Sequence, residues 1–359
     1  MFRWAIWSAL AALVIVTTES AVQASHRGVT LAVVMTNDTE ANAIQVYDAS
    51  SHALLQTLST RGRGGVAGNA RGIRGYNGEL FAAVNNGSGT VAVFRRSGDR
   101  LVFDTLVTTT SAPVSIDFGN GHMYVAGATT VDSFVIHHDS VGWMDGTTGL
   151  LLAEGGAPPI GATSQVGVVS PRQLLVTLKT DPSPGTVDVV SLTDGVVSGS
   201  PAAVPGPAGS MAPFGFSVYR DGSAIITLAH SAQDGLFRAG AFVTAVGSAG
   251  QIGPCWTTRV GKYVFVVNTG TKTISRLIGT GSQVFIDAAV AATVTTGGNP
   301  IDVDANDGIL AVIDHGAGQS HLSFFAYNRF GELAASGSPI SIAAADVNGV
   351  AILTPRDDR

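Results

Sequence analysis

A handful of side chains in this sequence have the chemistry to hold or transform a small molecule. His230 and His315 each close a short apolar run, IITLAH and LAVIDH. An imidazole at such a place serves as a general base near neutral pH, or it bonds to the carbonyls of a neighbouring loop. Lys179 and Asp314 stand at or beside the same position in other runs. Asp302 occupies the third place of Pro300-Ile-Asp-Val, where comparable segments carry mostly small residues. A buried carboxylate with a raised pKa acts as an acid or base, or it ties adjacent segments together by accepting backbone N–H groups. Arg71 and Arg63 offer planar forks that grip a carboxylate or phosphate bidentately; their other reading is a solvated arginine loop. Phe214 and Trp256 read as core first and as a substrate wall second. Cys255 precedes Trp256, and a thiol nucleophile needs a nearby base that the local sequence does not supply. A small buried thiol packed on an indole is the alternative.

Other chemistries are weakly represented. No cluster with metal-ligand spacing, no phosphate-cradling glycine loop and no Gly-x-Ser-x-Gly elbow is readable, so no metal or cofactor is expected and any catalysis should be metal-independent acid–base work on Asp302 or His230. The formal charge of −6 argues against nucleic acid and anionic membrane as partners. Cys255 is the sole cysteine, so no intrachain disulfide forms. Met1-Phe2-Arg3, an apolar run over Trp4 to Val16 and the small-residue close at Ala21 to Ala24 read as a secretory leader over residues 1–24. The apolar run is too short to span a bilayer about 30 Å thick, and the mature chain over 25–359 is expected outside the cytoplasm, extracellular or periplasmic. Asn37-Asp38-Thr39 and Asn86-Gly87-Ser88 match the N-glycosylation pattern and also read as turns.

The elements that must position these residues form a repeat. Gly numbers 45 of 359 residues and only 13 % are charged, a profile of strands and turns rather than long helices. Apolar runs recur as AVVMTN (32–37), FAAVNN (81–86), MYVAGA (123–128), LVTLKT (175–180), IITLAH (225–230), VFVVNT (264–269) and LAVIDH (310–315), with starts 49, 42, 52, 50, 39 and 46 residues apart. Each is paired with a second β-like run: AIQVYD (43–48), TVAVFR (90–95), VDSFVI (131–136), TVDVVS (186–191), GAFVTA (240–245), TISRLI (273–278) and LSFFAY (322–327). These are hairpins. Six runs are preceded by a short segment of common shape, ARGI (70–73), PVSI (113–116), QVGV (165–168), PFGF (213–216), PCWT (254–257) and PIDV (300–303). A small third residue suits strands converging on a crowded axis.

The first repeat lacks such a segment, and VNGV (347–350), running into Ala351-Ile352-Leu353, supplies it from the other end. The pattern therefore predicts one all-β domain, a seven-bladed β-propeller whose C-terminal strand completes the first blade and removes the exposed sheet edges. Ser198 to Met211 is expected to be a loop between blades, and the irregular stretch His137 to Pro159 is expected to include a long surface loop.

PFGFSVYRDG (213–222), PCWTTRVGKYVFVVNTGTKTIS (254–275), NPIDVDANDGILAVIDH (299–315) and FAAVNNGSGTVAVFR (81–95) resemble the lactonase-fold seven-bladed propellers, a group that includes 6-phosphogluconolactonase and carboxymuconate-cyclase-like proteins. The likeness covers nearly all of the mature chain, and Arg61-Gly-Arg-Gly-Gly65 fits the glycine-rich segment of secreted members. It implies a secreted lactonase-like protein that opens or forms the lactone of a small anionic or sugar acid. The expected partner is a small anionic or lactone-like molecule in the axial channel, near Arg63, Arg71, Phe214, Trp256 and His315. A non-catalytic propeller that binds a protein or glycan is the alternative.

Overall fold

The computed structural model describes residues 28–138, 140–180, 185–316, 318–344 and 346–355; the leader expected over 1–24 lies outside them. The apolar runs become second strands, such as Leu80–Asn85 and Tyr263–Asn268, buried at every position. Such a strand lies between two neighbouring sheets and is covered on both faces, so its sequence is continuously apolar rather than alternating. Outermost strands, such as Leu54–Ser59, are exposed at alternate positions.

Seven antiparallel sheets result, six of four strands and a seventh of five, the extra Ile340–Ile342 pairing with Ser320–Tyr327. Each inner strand packs on the next around a full circle. The expected closure is present: Val350–Leu353 pairs antiparallel with Leu31–Met35, Leu353 opposite Leu31 and Val350 opposite Val34. The first blade thus combines the last strand of the chain with the first three, and the fold is a seven-bladed β-propeller.

Close approach at the axis explains the small residues. A Cβ on Gly215 would lie 2.3 Å from the Cys255 carbonyl oxygen of the next blade, and one on Gly167 2.7 Å from the Phe216 ring; only glycine lets these backbones meet.

Two expectations are corrected. The hairpin partner in the fifth blade is Gln233–Arg238, and the run expected there, residues 240–245, belongs to the outermost strand Ala241–Gly247. Asp234 and Gly235 hide the true strand in the sequence; Asp234 is buried and accepts from Ser248 Oγ at 2.8 Å. The stretch 198–211 is not all loop, because Val196–Pro205 is the outer strand of the fourth blade. In the stretch 137–159, Ser140–Gly149 is the outer strand of the third blade and a long strandless connection follows it to Thr163. An edge strand has one side without a ladder, so it tolerates the Pro and Gly that obscure it in the sequence.

Candidate functional site

Strands alternate in direction within each blade, so the ends of all the second strands open on one face of the ring. That face also receives the crossing from the outer strand of one blade to the inner strand of the next. The inner strands begin there with a recurring irregularity. The register of pairing shifts after Pro113, Thr163, Pro213, Pro254 and Pro300, which bulges the residue that follows. A bulge re-aims a side chain. Val114, Ser164, Phe214, Cys255 and Ile301 stand at these places, and Arg71 and Asn348 correspond to them in the two remaining blades.

The glycine-rich crossing from the first to the second blade does not follow the rim. It reaches across the mouth. The Asn37 side chain accepts from the Gly65 and Val66 N–H groups at 2.9 and 3.0 Å and donates to the Val66 carbonyl at 2.9 Å. Asn69 Nδ2 donates to Val114 O at 2.6 Å, the Ala70 N–H to Ser164 O at 3.0 Å, and Trp256 Nε1 to Asn69 O at 2.7 Å. Lys179 Nζ donates to the Gly68 carbonyl and, at 3.4 Å, to Thr163 O. Residues 65–70 are therefore tied to the first, third, fourth and sixth blades, and they cover this end of the axis. Asn37 is 5 % exposed and both polar atoms of its amide are hydrogen-bonded, which leaves it closed to glycosylation once folded.

Beneath the crossing, Phe214 and Trp256 meet edge to face at 5.1 Å, in one apolar cluster with Ala70. Burial pushes the Cys255 thiol up to about 12 and the Lys179 ammonium down to about 8.

Beside it lies a cleft of about 390 Å³, walled by Trp256, Ile301, His315, Asp346, Asn348 and the 65–68 backbone. His315 Nε2 stands 2.5 Å from the Val347 carbonyl oxygen. A carbonyl only accepts, so Nε2 carries the proton and Nδ1 is left as the basic nitrogen. Asn348 is 7 % exposed; Nδ2 donates to Val66 O at 3.3 Å, and Oδ1 has no hydrogen-bond partner among the described residues.

The remaining candidates stand elsewhere. Asp302 is 3 % exposed, Oδ1 accepting from its neighbour Val303 N at 2.9 Å and Oδ2 from Val350 N at 3.2 Å. Of its two readings, the geometry supports the tie between blades; burial pushes its carboxyl up to about 7. Related ties recur, Ser115 Oγ to Val166 N, Asp117 Oδ2 to Val168 N and Asp304 Oδ2 to Ile352 N. His230 does not end a strand: Ala224–Leu228 stops before it, and it is exposed in the one-turn helix Ala229–Ser231, away from the cleft wall. Arg63 is exposed and donates to Gly87 O at 3.0 Å. Arg71 lies inside the axial channel, its Nη1 4.0 Å from Asp117 Oδ2. The two arginines do not share a site. Arg74, Asp117 and Asp304 complete the channel cluster, Arg74 Nε 3.2 Å from Asp117 Oδ1 and Nη1 3.8 Å from Asp304 Oδ1. Sequence reasoning missed Asn37 and Asp346 as cleft residues and weighed Asn348 only by its place in the repeat.

No protein-family model matches the sequence, and no curated protein matches it at a significant level. Solved structures do. The periplasmic gluconolactonase of Pseudomonas aeruginosa superposes with a TM-score of 0.64 at 15 % identity over 90 % of this chain and 99 % of that one. A candidate 6-phosphogluconolactonase from Bacteroides fragilis gives 0.62 at 13 % over 89 % and 97 %. This chain has the lactonase-type propeller fold. A virginiamycin B lyase from Staphylococcus aureus is similar too, at 0.54 and 13 % identity over 76 % and 85 %. At these identities the likeness carries the propeller and not its chemistry. Among its described residues, the propeller has no helix long and apolar enough to cross a membrane and no group of three or more His, Cys, Asp or Glu placed to hold a metal ion.

Proposed function

We propose that the protein is an exported hydrolase of neutral, polyhydroxylated lactones, working in the cleft beside the crossing segment. The observation that carries this reading is His315, whose Nε2–H is held by Val347 O while the ring lines a cleft walled by an indole. Nδ1 accepts a proton from the attacking water as its oxygen adds to the lactone carbonyl. The same imidazole then returns the proton to the leaving ring oxygen, and the products are a hydroxyl and a carboxylic acid that ionises. Trp256 packs the apolar side of the sugar ring. Among the described residues lining the cleft, Asp346 carries the only formal charge when His315 is neutral, which favours an uncharged substrate over a phosphorylated one. Asp302 and His230 take no part in this reading.

The test is proton release from glucono-δ-lactone by the purified mature protein, with and without a strong chelator. Removing a general base costs about 10²–10⁴ in rate, so His315→Ala should lose at least a hundredfold in kcat while the parent rate is indifferent to the chelator. Full activity in His315→Ala overturns the assignment. Silence of the parent over a broad lactone panel favours the non-catalytic binding propeller.

A further inference from the structure

We propose that the axial channel holds a small carboxylate-type monoanion on Arg71, at a site separate from the cleft. A guanidinium has five N–H donors and no acceptor. Among the described residues no hydrogen bond from the Arg71 side chain is formed, and its nearest carboxylate oxygen, Asp117 Oδ2, is 4.0 Å away. The side chain is only 17 % exposed. Donors withdrawn from water and left unpaired are costly, and burial pushes Arg71 down to about 10. Asp117 does not fill the gap, since its two oxygens serve Arg74 Nε at 3.2 Å and Val168 N at 2.9 Å. Asp304 is likewise engaged, by Ile352 N at 2.9 Å and Thr258 Oγ1 at 3.4 Å.

The backbone adds a second, independent sign. Arg71 has φ +57°, a left-handed conformation that is unfavourable for a long side chain. It sets the side chain toward the axis, with Nη1 beside the inner strand of the fourth blade, 3.6 Å from where a Cβ on Gly167 would lie. The crossing segment covers one end of the channel, so the ligand reaches Arg71 past Arg74, which is 29 % exposed. A planar carboxylate meets the guanidinium fork through two parallel bonds. Asp117 and Asp304 line the same chamber and repel a dianion, hence a single negative charge.

Acetate is the probe, titrated calorimetrically at pH 7.5 with potassium fluoride holding ionic strength constant. The expected result is saturable binding with a matching rise in melting temperature, both at least tenfold weaker in Arg71→Gln and unchanged in Arg63→Gln. Arg71→Lys keeps the charge and loses the fork, so it too should bind at least tenfold more weakly, and it decides the matter if the glutamine variant does not fold. In the parent, acetate should also slow butanedione modification of Arg71 and leave Arg63 unaffected. Absence of saturable binding, equal affinity in the folded variant, no protection of Arg71, or tighter binding of sulfate than acetate would each overturn the proposal.

Discussion

Asp302 Oδ2 accepts the backbone N–H of Val350 at 3.2 Å, joining the inner strand of the seventh blade to the strand that closes the first. The two residues are 48 positions apart in sequence. Two positions further along, Asp304 repeats the contact with Ile352 at 2.9 Å. A carboxylate on one inner strand thereby holds the last strand of the chain in register.

Removal of residues from Val347 onward should abolish cooperative unfolding. It strips Val350, Ala351, Ile352 and Leu353, each at most 5 % exposed, and burial of each large aliphatic side chain contributes about 1.5–3 kcal/mol. Asp302→Ala is the milder form: it leaves the Val350 N–H unmet at about 1–3 kcal/mol. Guanidinium unfolding followed by circular dichroism checks both. A truncated chain that melts as sharply as the parent contradicts the closure.

Stability should fall as pH rises from about 4 to 7. Burial holds the carboxyls of Asp188, Asp234 and Asp302 up at about 6, 7 and 7, against 3.8 for an ordinary Asp. In that window the folded chain keeps protons that the unfolded chain has released, so the stability these groups contribute below pH 3.8 is lost as pH climbs through their folded values. Lys179, pushed down to about 8, acts in the separate window from about 8 to 10.5. Melting temperatures taken at half-unit steps should show the decline, and Asp234→Asn should flatten it. A rise toward neutrality contradicts the assignment.

Cys255 should be silent toward Ellman's reagent at pH 8 in the native protein and react fully in guanidinium. The residue is only half-buried, but the desolvation of its thiol holds it up near 12, so almost no thiolate forms at that pH, and thiolate is the reacting form. Rapid native labelling would place the thiol in a more open setting.

Trp256→Phe should loosen the crossing segment more than the core. Phenylalanine keeps an aromatic partner for Phe214 but loses the 2.7 Å bond to Asn69 O, a cost of about 1–3 kcal/mol for the buried carbonyl left unmet. Limited proteolysis should then cut within residues 64–70, which the parent resists. Equal resistance would show that the remaining ties, through Asn37, Asn69, Ala70, Lys179 and Asn348, hold the segment without the indole.

Ring architecture was legible in the residues because each second strand is sandwiched between blades, and a strand buried on both faces writes itself as an uninterrupted apolar run at a regular period. Closure was legible for the same reason: Val347 to Leu353 has the shape of an inner strand and no other place to go. Outer strands were not, since an edge with one free side accepts the Pro201, Gly146 and Ser198 that break the pattern. Roles within the site lay further out of reach. Asp302 reads alike as an acid or a tie until Val350, 48 residues away, is seen to donate to it. Arg63 and Arg71 look like a pair in sequence, yet one rests on a surface turn and the other points down the axis, because the chain crosses the mouth between them. The sequence by itself determined the apolar second strands and the closure of their ring; the tertiary structure decided which side chains share a mouth, because that depends on contacts between blades that no local pattern encodes.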